Sequence, residues 1–229
     1  MGTHHQHGVV RPLTSLADTP WMTEAVDALA RELRLHHAPT ADHSHRLATL
    51  ARHVAERLGL GPLDATEVEL VAVLHDVGKL TIDPGLLDWE GPLDEAQRAR
   101  IRRHTIAGEE LLAEIAGLEN LANLVRATHE AWDGSGYPDG LDGEAIPLGA
   151  RIVAVADSIE VMSSRQLYRQ PRSPDEIVEE LRTYRGRQWD PTVVDLGLGL
   201  IASGELELGR TGGLRLLEPE AVADGSVWR

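Results

Sequence analysis

The chain has 229 residues, a formal net charge of −15 at pH 7 and no cysteine. Its length suits one sizeable domain with short flanking pieces. Without cysteine there are no disulfides and no thiolate metal sites, so any bound metal must use histidine and carboxylate ligands. No apolar run reaches the roughly 20 residues of a membrane helix, and the first residues lack a signal-peptide pattern. We expect a soluble, cytoplasmic protein that does not bind nucleic-acid polymers, because its negative charge repels polyanions.

Apolar periodicity, capping residues and glycine or proline stops predict an all-α chain. The predicted helices, in chain order, cover residues 19–35, 40–58, 64–76, 94–104, 105–115, 119–130, 149–163, 174–184 and 191–202. The third helix is predicted to start at Asp64, because Glu67 three residues later completes a capping-box pattern. Residues 205–217 alternate weakly around two glycines and predict a short C-terminal β-hairpin.

Two segments of the chain stand out by composition. Residues 131–148 form the longest irregular stretch and hold four glycines and two prolines. Long loops in compact domains are commonly functional. The arginines of the run 98–103 form the most basic patch of the chain, and we interpret them as a solvated helix face because no aromatic residues are interleaved for base stacking.

Helical spacing places one histidine of the second helix on an apolar face. His43 lies in line with the leucines and valine of that helix, whereas His45 falls on the opposite, polar side and should face water. A buried imidazole is costly unless its nitrogens have partners. A lone buried histidine is more often hydrogen-bonded than metal-bound, so a metal site requires further ligands.

Further ligands interrupt the apolar stripe of each later helix that could face His43. They are His75 with Asp76 beside it, His104, His129 and Asp157. Burying several ionisable groups is unfavourable unless they are paired with one another or bind a metal. The set, spread over five helices, predicts a metal site built from histidine and carboxylate.

Five segments carry a family resemblance: HSHRLA at 43–48, HDVGK at 75–79, His104, ATHEAWDGSGYPDGL at 127–141 and PLGARIVAVAD at 147–157. Together, and in this order, they resemble the HD-GYP family, a branch of the HD phosphohydrolase superfamily. The resemblance implies a helical HD-domain bundle with a GYP loop. It divides the chain into an N-terminal tail and helix at 1–37, an HD-GYP domain at 38–202 and a C-terminal extension at 203–229.

The resemblance also implies an activity: phosphodiesterases of this family hydrolyse cyclic di-GMP, and a linear dinucleotide is the expected product. Carried over by position, it makes His43, His75, Asp76 and Asp157 ligands of one metal, with Asp76 bridging to a second metal on His104 and His129. Iron or manganese is expected for both ions. Asp76 and Lys79 are the predicted catalytic residues, and Lys79, the only lysine, would place its ammonium on a phosphate oxygen.

Three further residues are candidates for substrate binding. Tyr137 of the GYP loop could stack on or hydrogen-bond a guanine, or it could only shape a turn. Arg165 and Arg169 resemble a downstream basic segment that grips the ligand, with a solvated helix end as the alternative. The GYP loop is also a candidate docking site for a diguanylate cyclase domain.

The chain departs from the family pattern at three positions. Thr128 stands where many members carry a histidine, which leaves the affinity of the second metal and the activity open. Pro39 replaces a glutamate found in three-metal members, so we predict two ions. Glu160 replaces a usual aspartate and keeps its charge.

Two alternatives to a dinuclear phosphodiesterase remain. One is a degenerate domain that binds a cyclic dinucleotide or a diguanylate cyclase domain without turnover. The other is a general nucleotide phosphohydrolase of the wider HD superfamily. Such an enzyme would not require the GYP loop.

Overall fold

The computed structural model describes residues 19–164, 170–209 and 213–217. The helices in these ranges are α1 (Thr19–His36), α2 (Ala38–Arg57), α3 (Pro62–Leu74), α4 (Pro84–Leu87), α5 (Glu95–Arg102), α6 (His104–Ala113), α7 (Glu119–Arg126), α8 (Leu148–Ser163), α9 (Pro174–Tyr184) and α10 (Pro191–Ser203). Strands β1 (Leu206–Leu208) and β2 (Leu214–Leu216) pair antiparallel. The predicted all-α class with a C-terminal hairpin is confirmed.

Two helix starts follow capping signals in the local sequence, and one predicted capping box does not form. α5 and α9 begin with capping boxes at Asp94 and Ser173. α3 begins at Pro62, two residues before Asp64, and has no side-chain cap. The prediction that Asp64 and Glu67 cap this helix is therefore wrong. Proline has its φ angle preset for the first helical position and lacks the amide hydrogen that a cap would satisfy there, so the helix starts at Pro62.

α2 lies at the centre of the bundle, where it packs against α1, α3 and α8. Leu47 and Leu50 of α2 and Leu74 of α3 are completely buried, as is Ile159 of α8. His45 is exposed, as the helical spacing predicted. Burial of these side chains is the main stabilising contribution to the bundle, at roughly 25 cal/mol per Å² of apolar surface. The core therefore fixes the relative positions of the three helices that carry the first candidate ligands.

Both ends of the described chain are tied to α2. α1 packs along it, and near the hairpin the Arg57 guanidinium lies 2.9 Å from the Glu205 carboxylate. The boundaries proposed at residues 38 and 203 stay predictions. Among the described helices, none combines the length and apolar character needed to cross a membrane.

Gly78 of the HDVGK segment permits a close approach between two elements. It lies in the 3₁₀ turn Val77–Thr81 that follows α3. A Cβ atom at this position would lie 1.9 Å from the His104 carbonyl oxygen and 2.5 Å from the Gly108 amide nitrogen. Only glycine allows α6 to pack this closely against the turn, and the contact brings His104 next to Asp76.

The glycine-rich loop is folded against its own first residues. A Cβ atom on Gly136 would lie 2.2 Å from the Ala131 amide nitrogen, so glycine is required there too. The buried Glu130 carboxylate accepts hydrogen bonds from the amides of Asp139, at 2.7 Å, and Leu141, at 3.1 Å. These contacts close the loop into a compact unit beside the end of α7.

Candidate metal centre

The first group of candidate ligands joins three elements of the bundle. His43 lies on α2, His75 directly follows α3, and Asp157 lies on α8. Their ligand atoms are all within 4.8 Å of one another, and His43 Nε2 lies 2.7 Å from Asp157 Oδ1. One nitrogen or oxygen donor from each residue is thus available to a single cation.

A second group lies beside the first and consists of Asp76, His104 and His129, again with ligand atoms within 4.8 Å. Asp76 connects the two groups. Its Oδ2 atom is 3.3 Å from His75 Nε2, and its Oδ1 atom is 3.3 Å from His104 Nε2. The structure therefore brings together all six residues that the sequence proposed as ligands, with Asp76 between the two groups.

Adjacent ligands in the sequence lie in turns. α3 ends before His75, and α7 ends at Arg126, before His129, although the predicted helices ran to 76 and 130. Consecutive helical residues point about 100° apart, so a continuous helix cannot aim both His75 and Asp76 at one point. The chain leaves helical geometry where two neighbours must face the same site.

Backbone contacts fix the ring orientation of two histidines. His75 Nδ1 donates to the Ala72 carbonyl oxygen at 2.9 Å, and His104 Nδ1 donates to the Ile101 carbonyl oxygen at 2.7 Å. Because a carbonyl oxygen only accepts, each Nδ1 carries the proton. The Nε2 atom of a neutral ring then has a free lone pair facing the site, as in histidine ligands of metals.

Three buried donor atoms of the second group make no hydrogen bond to the described residues. Asp76 Oδ1, His104 Nε2 and His129 Nε2 are buried and have no hydrogen-bond partner within the described part of the chain. Leaving buried polar atoms unpaired is unfavourable, and a bound cation would satisfy all three at once. This donor set fits a divalent transition-metal ion.

The charge states also suit cation binding. Burial and the nearby His104 lower the pKa of His129 to about 3, and burial lowers the pKa of His104 as well. Burial raises the pKa of Asp76, but the charges of Lys79 and His75 outweigh it and hold this pKa well below its usual range. Near neutral pH, the second group therefore offers neutral imidazoles and an ionised carboxylate.

Lys79 and Tyr137, the other two described residues with proposed site roles, both contact the ligand groups. The Lys79 ammonium lies 2.7 Å from Asp76 Oδ2. The Tyr137 ring stacks on the His129 ring, with centroids 5.2 Å apart and planes within 3°. At least one face of Tyr137 thus supports a candidate ligand, a contact that the sequence did not predict. Arg165 and Arg169 lie outside the described residues.

Glu160 contacts a candidate metal ligand, a role that was not predicted from the sequence. Its side chain is completely buried and accepts hydrogen bonds from His43 Nδ1, from Arg46 Nε at 2.5 Å and from Ser164 Oγ at 2.6 Å. By holding Nδ1 of His43, the carboxylate directs Nε2 towards Asp157. The signal was present in the sequence, since Glu160 lies almost one helical turn after Asp157 on the same helix.

The environment of His43 predicts proton release when a metal binds to the first group. Burial lowers the pKa of His43, but its hydrogen bonds to Asp157 and Glu160 outweigh this effect and raise the pKa to about 10. A metal can bind Nε2 only after that nitrogen loses its proton. From neutral pH up to about 10, we expect apparent affinity to rise about tenfold per pH unit and about one proton to be released.

Calorimetric titration of manganese in two buffers with different ionisation enthalpies measures this proton release, and equal heats in both buffers would contradict it.

The raised pKa of His43 also makes the stability of the metal-free protein depend on pH, and this stability falls as pH rises. A raised histidine pKa stabilises the fold fully below the unfolded value near 6.5, and this stabilisation is lost as pH rises through about 10.

A cavity of about 340 Å³ opens next to the ligand groups. Its lining includes Arg102, Thr128, His129, Tyr137, Asp157 and Arg187. Thr128 is buried, and its hydroxyl donates to the Val125 carbonyl oxygen at 2.9 Å. Arg102 belongs to the basic run at 98–103 that the sequence predicted to be a solvated helix face. Its side chain is exposed, as predicted, and its guanidinium lies 5.0 Å from the centre of the Tyr137 ring. The sequence predicted no site role for Arg102 or Arg187.

Comparison with known proteins decides the family. The model of the HD domain family matches residues 27–193, most of the chain. The chain belongs to the HD domain family. The match begins within α1 and ends within α10, so it includes both candidate ligand groups and the cavity.

Relatives of this HD domain confirm the resemblance to HD-GYP phosphodiesterases. The cyclic di-GMP phosphodiesterase response regulator RpfG of Xanthomonas campestris is 40% identical over 177 residues, which cover 75% of this chain and 46% of the relative. The 3'3'-cGAMP-specific phosphodiesterase 2 of Vibrio cholerae is 35% identical over 177 residues, 76% of this chain and 33% of that protein. The chain thus spans less than half the length of these relatives.

A solved structure supports the fold independently. The crystal structure of a cyclic GMP-AMP-specific phosphodiesterase of Vibrio cholerae, V-cGAP3, superposes with a TM-score of 0.59 at 20% identity. The superposition covers 79% of this chain and 48% of that one. At this identity the likeness shows a shared HD-domain fold.

Proposed function

We propose that this HD domain is a metal-dependent phosphodiesterase that hydrolyses cyclic di-GMP to a linear dinucleotide. The observation that carries the proposal is the pair of ligand groups joined by Asp76, whose buried donor atoms include three with no hydrogen-bond partner among the described residues. The two relatives described above are named for hydrolysis of cyclic di-GMP and of 3'3'-cGAMP, which supports a cyclic dinucleotide as the substrate class.

Two iron or manganese ions are the proposed cofactors. In this assignment one ion would be held by His43, His75 and Asp157. The other would be held by His104 and His129, and Asp76 would be a ligand of both. Two such ions would lower the pKa of a water molecule and neutralise charge that develops on the phosphodiester. Nitrogen and carboxylate oxygen donors suit both metals.

The residues around the ions orient the substrate in this proposal. Lys79 already lies 2.7 Å from Asp76, so its ammonium is close enough to the centre to bind a phosphate oxygen beside the bridging carboxylate. Tyr137 holds the His129 ring in place by stacking, and burial raises the pKa of its hydroxyl, which therefore stays protonated. Arg165 and Arg169 stay predicted ligand-binding residues.

A turnover assay tests the function against its alternatives. Protein loaded anaerobically with iron or manganese is incubated with cyclic di-GMP, 3'3'-cGAMP, cyclic di-AMP and mononucleotides, and the products are separated by chromatography. We expect a linear dinucleotide from cyclic di-GMP and about two metal equivalents per chain by elemental analysis. Binding without turnover would favour the degenerate domain, whose partner could be a diguanylate cyclase domain at the GYP loop. Turnover of mononucleotides alone would favour a general phosphohydrolase.

Replacing Thr128 with histidine is expected to tighten binding of the second metal by at least about tenfold, because it adds an imidazole beside His129. Thr128 lines the cavity next to His129. Titration with manganese measures the affinity, and turnover at limiting metal should rise with it. Thr49→His, which adds a histidine on the exposed side of α2, is the control. Equal affinities in Thr128→His and wild type would place Thr128 outside the metal environment.

A further inference from the structure

Two arginines without an assigned role line the cavity beside the ligand groups. Arg187 lies in the turn between α9 and α10, and Arg102 is the last residue of α5. Both side chains are exposed at the cavity. Each guanidinium lies near a tyrosine ring, Arg102 at 5.0 Å from the centre of Tyr137 and Arg187 at 5.8 Å from the centre of Tyr184. Contact with a ring restricts a guanidinium while leaving its donors available.

The Arg187 turn is fixed to the GYP loop by backbone hydrogen bonds. The amide of Asp133 donates to the Arg187 carbonyl oxygen at 2.8 Å, and the amide of Trp132 donates to the Gln188 carbonyl oxygen at 3.1 Å. The backbone of Arg187 is therefore held against the GYP loop, which follows His129 and carries Tyr137.

Neither guanidinium is neutralised by a close carboxylate. In residues 19–164, 170–209 and 213–217, no ion pair within 4.0 Å involves Arg102 or Arg187. Hydrogen bonds from the Ser135 hydroxyl and amide to Asp133 Oδ1 lower the pKa of Asp133, and the nearby charge of Arg187 adds to this effect. Other arginines are committed to carboxylates, such as Arg151 to Asp190 at 2.6 Å. The cavity thus presents two guanidinium groups without an ion-pair partner within 4.0 Å in the described ranges, on a lining that also includes Glu130, Asp133 and Asp157.

The size of the cavity indicates which part of a ligand reaches these groups. Its volume of about 340 Å³ lies at the lower end of ligand pockets, which range over about 300–1,000 Å³. A cyclic dinucleotide is a ring with two phosphodiesters, and only one of them can sit at the metal ligands at a time. The second phosphodiester would then be available to the arginines that line the same cavity.

We propose that Arg187, assisted by Arg102, binds the phosphodiester that is not being cut. This inference rests on the proposed function, because it assumes a cyclic dinucleotide at the metal centre. A guanidinium offers paired donors that match phosphate oxygens, and hydrogen bonds between charged groups are stronger than neutral ones. The two arginines would then distinguish a ring with two phosphates from a substrate with a single phosphodiester.

The test compares Arg187→Gln and Arg102→Gln with two matched controls. Arg182→Gln on α9 and Arg98→Gln on α5 remove the same charge from exposed positions outside the cavity lining. Calorimetry measures binding of a hydrolysis-resistant phosphorothioate analogue of cyclic di-GMP to metal-loaded protein. We expect each cavity variant to bind about tenfold more weakly than its control, with the loss in KM rather than kcat when cyclic di-GMP is turned over.

A substrate with one phosphodiester separates this role from a general one. The loss in kcat/KM should be about tenfold greater for cyclic di-GMP than for bis(4-nitrophenyl) phosphate. Equal losses on both substrates, or affinities equal to those of the controls, would overturn the inference while leaving the proposed function standing. A wild-type protein that hydrolyses bis(4-nitrophenyl) phosphate but neither binds nor cuts a cyclic dinucleotide would overturn the proposed function first, and the inference with it.

Discussion

Asp76→Asn is expected to lower turnover of cyclic di-GMP by at least about a thousandfold. Each loss of about 1.36 kcal/mol of transition-state stabilisation slows the reaction tenfold, and a bound metal ion supplies several kcal/mol of that stabilisation. Asp76 is 3% exposed and lies between the two ligand groups, 3.3 Å from His75 and from His104. Asparagine keeps the shape but removes the charge, and only one of its terminal atoms can accept a metal. We also expect less than the full metal content by elemental analysis.

The control for Asp76→Asn is Asp64→Asn, which makes the same change at an exposed position near the start of α3. It should keep wild-type metal content and turnover. Circular dichroism should show unchanged helix content in both variants, which excludes unfolding as the cause of the loss. If Asp76→Asn retained both metals and full activity, Asp76 would not be the bridging ligand.

Glu160→Gln is expected to weaken metal binding at the first group by about 10–100-fold, the usual effect of removing a partner that orients a ligand. Glu160 is completely buried and accepts from His43, Arg46 and Ser164. The glutamine amide keeps one acceptor oxygen, and its NH₂ group would face a donor. His43 would then lose the contact that directs Nε2 towards Asp157. Manganese titration gives the affinity, and the pH dependence of binding shows whether the His43 pKa has fallen.

Two further variants separate orientation of His43 from simple loss of charge. Glu160→Asp keeps an acceptor carboxylate and should restore most of the affinity. Glu179→Gln removes a carboxylate from an exposed position on α9 and should change nothing. Equal metal affinity and unchanged pH dependence in Glu160→Gln would show that the His43 contact has no part in metal binding.

Local sequence determined most of the helices and the identity of the candidate ligands. Helix starts at Asp94 and Ser173 depend on side chains within three residues of the cap, so the sequence contains the whole interaction. His43 and Asp157 were predictable because helical periodicity sets the face on which a side chain lies. The predicted start of α3 at Asp64 was wrong because local signals competed there, and the proline two residues earlier sets the start of the helix.

Only the tertiary structure decided how these residues meet. The contact between His43 and Glu160 joins positions 117 apart in the chain, and the position of Arg187 beside the GYP loop depends on backbone hydrogen bonds between segments more than 50 residues apart. Periodicity gives the face of a helix but not the partner that covers it, because that partner is set by packing of the whole core. The sequence therefore predicted the ligands, while the structure alone placed Glu160 behind them and Arg187 beside the cavity.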